Sequence, residues 1–139
     1  MNDIKVLIVD DEHDFRETLV KRLEKRKFFI QGVENGISAL ELIEHQPFDV
    51  VVLDVMMPKM DGIETLREIK KNKPLIEVIM LTGHASLESG IEGMKLGAFD
   101  YIMKPTGIED LVKKIYQAYE KKTAHEEKIR SASGEALSG

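Results

Sequence analysis

The middle of the chain carries four apolar residues closed by a carboxylate, Val50-Val51-Val52-Leu53-Asp54. A short, continuously apolar run favours a central strand of a parallel sheet, because helices cover such a strand on both faces. Two other β-branched runs lead into charged residues, Asp10-Asp11 and Lys104. Charged side chains at strand ends, far apart in sequence, are a common way for an α/β protein to build a site.

Outward from this run, short apolar segments and amphipathic segments alternate five times. The apolar segments predict strands at 4–9, 28–33, 50–53, 76–81 and 99–103. The amphipathic segments predict helices at 15–26 and 36–45. Three more helices are marked by apolar residues within 63–69, 87–94 and 108–119, and Gly97 ends the helix that contains 87–94. Strands that alternate with helices predict a parallel sheet with helices on both faces.

The composition limits what the chain can be. Its 139 residues, 42% apolar and 32% charged, fit one globular domain. The net charge of −5 gives no reason to expect nucleic-acid binding. The absence of cysteine excludes disulfides and thiolate metal sites. No apolar stretch approaches the ~20 residues that span a bilayer, and the first residues do not form a secretory signal. We therefore expect a cytoplasmic protein without membrane contact.

The polar strand ends predict one site, since the carboxyl ends of parallel strands share an edge of the sheet. Carboxylates from Asp10, Asp11 and Asp54 suit Mg²⁺, which prefers oxygen ligands, and Asp54 suits a nucleophile. Thr82 ends the fourth strand and offers a hydroxyl. Lys104 precedes a proline, and we predict a cis Lys104–Pro105 bond that turns the ammonium into the pocket. Taken singly, these residues also fit helix caps, a turn, a strand terminus and a surface lysine.

As a set, these segments resemble the receiver domain of two-component response regulators, from about residue 4 to about residue 120. The resemblance is carried by Val9-Asp10-Asp11, Leu53-Asp54-Val55-Met56-Met57-Pro58-Lys59-Met60-Asp61-Gly62, Leu81-Thr82-Gly83 and Tyr101-Ile102-Met103-Lys104-Pro105. It implies a flavodoxin-like, doubly wound, five-stranded parallel sheet in the order 2-1-3-4-5 with five helices.

The resemblance also implies a chemistry. Asp54 would accept a phosphoryl group from a sensor histidine kinase or a phosphotransfer protein. Asp10, Asp11, Asp54 and the backbone carbonyl of Met56 would hold Mg²⁺. Lys104 would pair with the phosphoryl oxygens and share the catalytic role with Asp54.

A switch is implied as well. Thr82 would hydrogen-bond the phosphoryl group and Tyr101 would swing inward, shifting the fourth helix, fifth strand and fifth helix. The segment 57–62 would shape the mouth of the site. The shifted face would bind a partner or a second copy of the chain. It carries Leu87, Ile91, Met94, Tyr101 and Tyr116. Ordinary core packing is the alternative explanation for these residues.

Three functions remain open at this point. The chain is expected to be a signalling switch that phosphorylates itself, and can dephosphorylate itself, without turning over an outside substrate. The alternatives are an interaction module that works without phosphorylation and a magnesium-dependent phosphatase. Such a phosphatase usually has a second acidic residue at the position of Met56, so the methionine there argues against this alternative. We expect the receiver domain to cover 1–121, and 122–139 to form a helix extension and flexible tail, either in a stand-alone receiver or at the linker of a longer regulator.

Overall fold

The computed structural model describes residues 3–57, 60–83 and 87–133, and these residues form five strands and five helices in alternation. The elements are β1 (Lys5–Val9), α1 (His13–Lys25), β2 (Phe29–Val33), α2 (Gly36–His45), β3 (Val50–Leu53), α3 (Gly62–Asn72), β4 (Glu77–Thr82), α4 (Leu87–Lys95), β5 (Asp100–Met103) and α5 (Ile108–Ala132). All neighbouring strands are parallel, in the order β2-β1-β3-β4-β5. The predicted fold class and strand order are confirmed.

The sheet has a separate core on each face because successive residues of a strand point to opposite sides. In β3, Val51 and Leu53 belong to the core beneath α2 and α3, whereas Val50 and Val52 belong to the core beneath α1 and α5. Residues of β1 and β4 divide between the two cores in the same alternating way. The continuously apolar run therefore marks a strand that is buried on both faces.

The predicted element bounds differ from the structure by one or two residues. Helix α1 begins at His13 rather than at residue 15, since its first turn faces the polar end of the sheet and carries little of the apolar pattern. Strands β2 and β5 begin one residue late, and β4 is displaced by one residue. Helix α4 gives way to Gly97, whose φ of +102° confirms the predicted glycine stop.

Helix α5 continues past residue 121 to Ala132. Its extension is tied to the sheet, because Lys122 Nζ lies 3.0 Å from Asp49 Oδ1 and donates to Glu126 Oε2 at 2.8 Å. Ser131 and Ala132, predicted as part of a flexible tail, are helical. Residues 134–139 of that tail lie outside the described residues, and the division of the chain at residue 121 stays a prediction.

The surface of α4 is apolar and open. Leu87 is 81% exposed, and Ile91 and Met94 are about half exposed. Tyr116 of α5 is also exposed, whereas Tyr101 of β5 is half-buried. Ordinary core packing therefore does not explain Leu87, Ile91 and Met94.

Candidate functional site

The strand ladder carries the polar residues to one edge of the sheet. Asp10 follows β1, Asp54 follows β3, Thr82 ends β4 and Lys104 follows β5. Backbone hydrogen bonds extend the ladder beyond the strand ends: Asp54 N donates to Val9 O at 2.9 Å, and Lys104 N donates to Thr82 O at 2.8 Å. The direction of these side chains is therefore set by the sheet itself.

Lys104 joins the two buried aspartates. Its Nζ donates to Asp10 Oδ2 at 2.8 Å and lies 3.7 Å from Asp54 Oδ2. Asp10 is 2% exposed and Asp54 is 3% exposed. The Lys104–Pro105 peptide bond is cis, as predicted. Side chains separated by as many as 94 positions thus meet in one small polar pocket.

A third carboxylate completes the cluster, and it is Glu12 rather than Asp11. Oxygen atoms of Asp10, Glu12 and Asp54 all lie within 4.8 Å of one another. Glu12 Oε1 also accepts a hydrogen bond from Lys104 Nζ at 3.1 Å. Asp11 is exposed and is not one of the three residues in this cluster. Its predicted metal-binding role stays a prediction.

The carboxylates are held by local backbone as well. Glu12 N donates to Asp10 Oδ1 at 2.9 Å, a turn in which an aspartate binds the backbone two residues on. Met56 N approaches Asp54 Oδ1 at 3.4 Å in the same way. Arg16 donates to the backbone carbonyl of Asp10 at 2.8 Å and fastens α1 to the end of β1. Contacts with the backbone and Arg16 therefore help to fix the positions of the carboxylates.

The charges of the pocket are unbalanced. Burial raises the pKa of Asp10, and the nearby charge of Asp54 raises it further, against the opposing hydrogen bonds from Lys104 and Glu12 N. Burial acts to lower the pKa of Lys104, but its hydrogen bonds to Asp10 and Glu12 and the charge of Asp54 outweigh that effect, so the pKa is raised. Lys104 is consequently an ammonium at neutral pH, facing three carboxylates.

This donor set fits a hard divalent cation. Mg²⁺ is usually held by one or two carboxylates with water and phosphate oxygens, and two of the three clustered carboxylates are almost fully buried. A cation beside Asp10 and Asp54 would offset the repulsion that burial otherwise imposes. Met56, the predicted backbone ligand, stands two residues after Asp54, and its side chain is exposed.

The two predicted switch residues lie on the neighbouring strands β4 and β5. Thr82 is fully buried at the end of β4. Tyr101 is half-buried in β5, and its hydroxyl shares a 2.8 Å hydrogen bond with Ser89 Oγ of α4. Tyr101 therefore links the fifth strand to the exposed helix α4. In the predicted mouth segment 57–62, Pro58 and Lys59 lie outside the described residues.

Three residues of the pocket were missed by sequence reasoning as site residues. Glu12 and Arg16 make the contacts described above, and the Phe15 ring lies under Lys104, with Nζ 4.0 Å from the ring centroid. Glu12 extends the Asp10-Asp11 pair into three consecutive acidic residues, which was a usable signal. Phe15 is the first residue of the predicted helix 15–26, and the helix pattern gives no sign of a lysine 89 positions away.

Within the described parts of the chain, no helix has the length and apolar character needed to cross a membrane.

Several known proteins are similar to this chain in sequence. The chain is 35% identical over 109 residues to the response regulator MprA of Mycobacterium sp. (strain KMS), covering 78% of this chain and 47% of that protein. It is 37% identical over 107 residues to the regulatory protein AtoC of Escherichia coli (strain K12), covering 77% of this chain and 23% of that protein. The chain thus spans about half, or less, of the length of these relatives.

Solved structures share the fold. The crystal structure of a CheY-like response regulator receiver domain protein from Methanospirillum hungatei JF-1 superposes with a TM-score of 0.86 and 31% identity, covering 89% of this chain and 99% of that one. The family profile of the response regulator receiver domain matches residues 6–116. On these grounds the chain belongs to the response regulator receiver domain family, the signalling domains of two-component systems.

Proposed function

We propose that Asp54 accepts a phosphoryl group and that the resulting charge switches the surface formed by α4, β5 and α5. The observation that carries this proposal is the buried Asp54 carboxylate, whose Oδ2 lies 3.7 Å from the Lys104 ammonium at the carboxyl edge of the sheet. A carboxylate held beside a fixed cation suits in-line attack on phosphorus, since phosphoryl transfer depends mainly on positioning and charge stabilisation.

In the proposed reaction an Asp54 carboxylate oxygen forms a bond to phosphorus. The bond between phosphorus and the donor breaks, and the donor's leaving atom keeps the electron pair. Lys104, already oriented by Asp10 and Glu12, pairs with an oxygen of the transferred group. Mg²⁺, held by Asp10, Asp54, Asp11 and the Met56 carbonyl, would supply further positive charge at that group.

The switch follows from the charge that is added. An aspartyl phosphate carries roughly two negative charges where the Asp54 carboxylate carried one, so the carboxylate cluster gains about one negative charge in all. In this proposal Thr82, which is buried at the end of β4, would donate a hydrogen bond to the new oxygens. Movement of Tyr101 toward Thr82 would break the hydrogen bond between the Tyr101 hydroxyl and Ser89 Oγ. Loss of that bond would allow α4 to shift. The exposed Leu87, Ile91 and Met94 would form part of the surface that a partner or a second copy of the chain reads.

The natural phosphoryl donor in this proposal is a sensor histidine kinase or a phosphotransfer protein. The named relatives are two to four times longer than the segment they share with this chain, so the whole regulator is proposed to carry an output domain controlled by this surface. The receiver itself acts only on its own aspartyl phosphate and is not proposed to turn over another substrate.

The test is phosphorylation by acetyl phosphate with Mg²⁺, read as a mass increase of one phosphoryl group. We expect labelling of the wild type and of Asp110→Asn, an exposed carboxylate of α5, and no labelling of Asp54→Asn. Equal labelling of all three proteins would refute Asp54 as the acceptor. Absence of labelling in the wild type would instead favour an interaction module that works without phosphorylation.

Release of phosphate from outside phosphomonoesters by the wild type would favour the phosphatase alternative. We expect none above the background of Asp54→Asn.

A further inference from the structure

We propose that Phe15 is a positioning residue for the phosphoryl-transfer site, holding the Lys104 ammonium over its ring so that it faces Asp54. This inference rests on the proposed function of the same site. It identifies a role for a residue that sequence reasoning assigned only to helix packing.

The geometry is that of a cation–π contact. Lys104 Nζ lies 4.0 Å from the centroid of the Phe15 ring, well inside the ~6 Å range over which an aromatic face attracts a cation. The Lys104 side chain is only 12% exposed, so water screens the contact weakly. The ring therefore supports the ammonium on one side while Asp10 and Glu12 accept its hydrogen bonds.

Phe15 is itself fixed. It stands in the first turn of α1 and packs against the core beneath α1 and α5. Its ring borders a small cavity of about 80 Å³ that is lined also by Leu81, Thr106 and Ile108. A ring anchored on the core limits the directions that the long lysine side chain can take, and so reduces the entropy lost when Lys104 engages a ligand.

A neutral ring has an advantage over a further carboxylate at this position. The three clustered carboxylates already draw on the charge of Lys104, and a fourth would compete with the phosphoryl oxygens for it. An aromatic face attracts the ammonium without neutralising it. The positive charge of Lys104 then remains available for the transferred group. The ring also helps to fix the position of that charge, which matters because a misplacement of about 1 Å can slow such a reaction strongly.

The first readout needs neither metal nor phosphodonor. In protein labelled with ¹³C-lysine, the Cε hydrogens of Lys104, assigned by comparison with Lys104→Arg, should be shifted upfield by the ring. Phe15→Leu should abolish that shift, and Phe15→Trp should retain it, since the neighbouring cavity offers room for a larger ring. A Lys104 signal that is the same in the wild type and in Phe15→Leu would overturn the proposal.

The second readout is the rate of labelling by acetyl phosphate with Mg²⁺. We expect Phe15→Leu to lower the rate about 5-fold, as for the loss of a single cation–π contact, and Phe15→Trp to restore it. The matched control is Phe99→Leu, another partly buried phenylalanine beneath a lysine, Lys121 at 5.8 Å, outside the site. Equal slowing in Phe99→Leu and Phe15→Leu would show that only general packing is involved.

A third series guards against variants that fail to fold. Phenylalanine with one, two or three ring fluorines at position 15 keeps the shape of the ring and progressively weakens its negative face. A stepwise loss of rate supports the proposal, and a constant rate overturns it. If the wild type is not labelled at all, the proposed function fails, whereas an unshifted Lys104 signal in a wild type that does label refutes the role of Phe15 alone.

Discussion

Gly62 offers a sharp test of how the backbone places Asp54. Gly62 opens α3, and its N–H donates to the carbonyl oxygen of Val55 at 2.7 Å, in the residue directly after Asp54. A Cβ added at Gly62 would lie 2.2 Å from Asp54 O and 2.6 Å from Val55 Cα. Both atoms belong to the backbone, so no side-chain rotation can relieve the overlap. Glycine at this position is therefore required by the path of the backbone at Asp54 and Val55.

The size of the effect follows from the overlap. Real Cβ contacts are essentially never shorter than 3.0 Å, so Gly62→Ala must separate α3 from the Asp54 backbone by at least 3.0 − 2.2 = 0.8 Å. Such overpacking typically lowers the free energy of unfolding by about 1–3 kcal/mol. A displacement near 1 Å at a reacting group can cost about 10²-fold in rate, and we expect a loss of that order in the labelling of Asp54.

Urea unfolding followed by circular dichroism measures the first quantity, and labelling by acetyl phosphate measures the second. The matched control is Gly90→Ala in α4, where the nearest atom to an added Cβ is 3.6 Å away on Tyr101. That variant should unfold at the same or a higher urea concentration, since alanine favours a helix interior by roughly 0.5–1 kcal/mol over glycine. A Gly62→Ala protein that matches the wild type in stability and rate would refute the reasoning.

Two further predictions concern buried charges. Because the pKa of Asp10 is raised in the fold, the folded state binds more protons than the unfolded state from the ordinary value of 3.8 upward, and stability falls as the pH rises through that window. Asp10→Asn should therefore raise the midpoint of urea unfolding at pH 7 in EDTA, and a lower midpoint would contradict the role given to burial of this charge. The same variant should bind Mg²⁺ more weakly, as measured by calorimetry. Lys122→Met leaves Asp49 without its cation and should lower the free energy of unfolding by about 2 kcal/mol, whereas the exposed Lys128→Met should not; equal midpoints would contradict the role of this pair.

The order of strands and helices could be predicted because each type of element in this fold has a distinct apolar pattern in the sequence. Strands buried on both faces, such as Val50–Leu53, are continuously apolar, and the helices carry an apolar face. The element bounds were less accurate at His13 and Glu77, where a polar first turn and a buried glutamate break the apolar pattern. The extension of α5 was recognised as helical, but its ion pair with Asp49 depends on a contact between distant residues.

The sequence predicted which residues of the site meet where their positions are set by the ends of strands. Asp10, Asp54 and Lys104 were placed together because parallel strands end at one edge. Within that edge, the choice between Asp11 and Glu12 depends on how the backbone turns after β1, where Glu12 N binds Asp10 Oδ1 and brings the Glu12 side chain toward Lys104. The ring of Phe15 reaches the same ammonium from α1. The acidic run marks Glu12 as a candidate in the sequence, but its contact with Lys104, like that of Phe15, depends on how the backbone folds.

The central claim is that Asp54 forms an acyl phosphate, and chemical trapping tests it most directly. After incubation with acetyl phosphate and Mg²⁺, borohydride reduces an aspartyl phosphate to homoserine, which mass spectrometry locates in the peptide sequence. We predict homoserine at position 54 and at no other aspartate, and none when Mg²⁺ is withheld with EDTA. Homoserine at Asp10 or Asp11 in its place, or an unmodified position 54 in protein that has gained a phosphoryl group, would contradict the account.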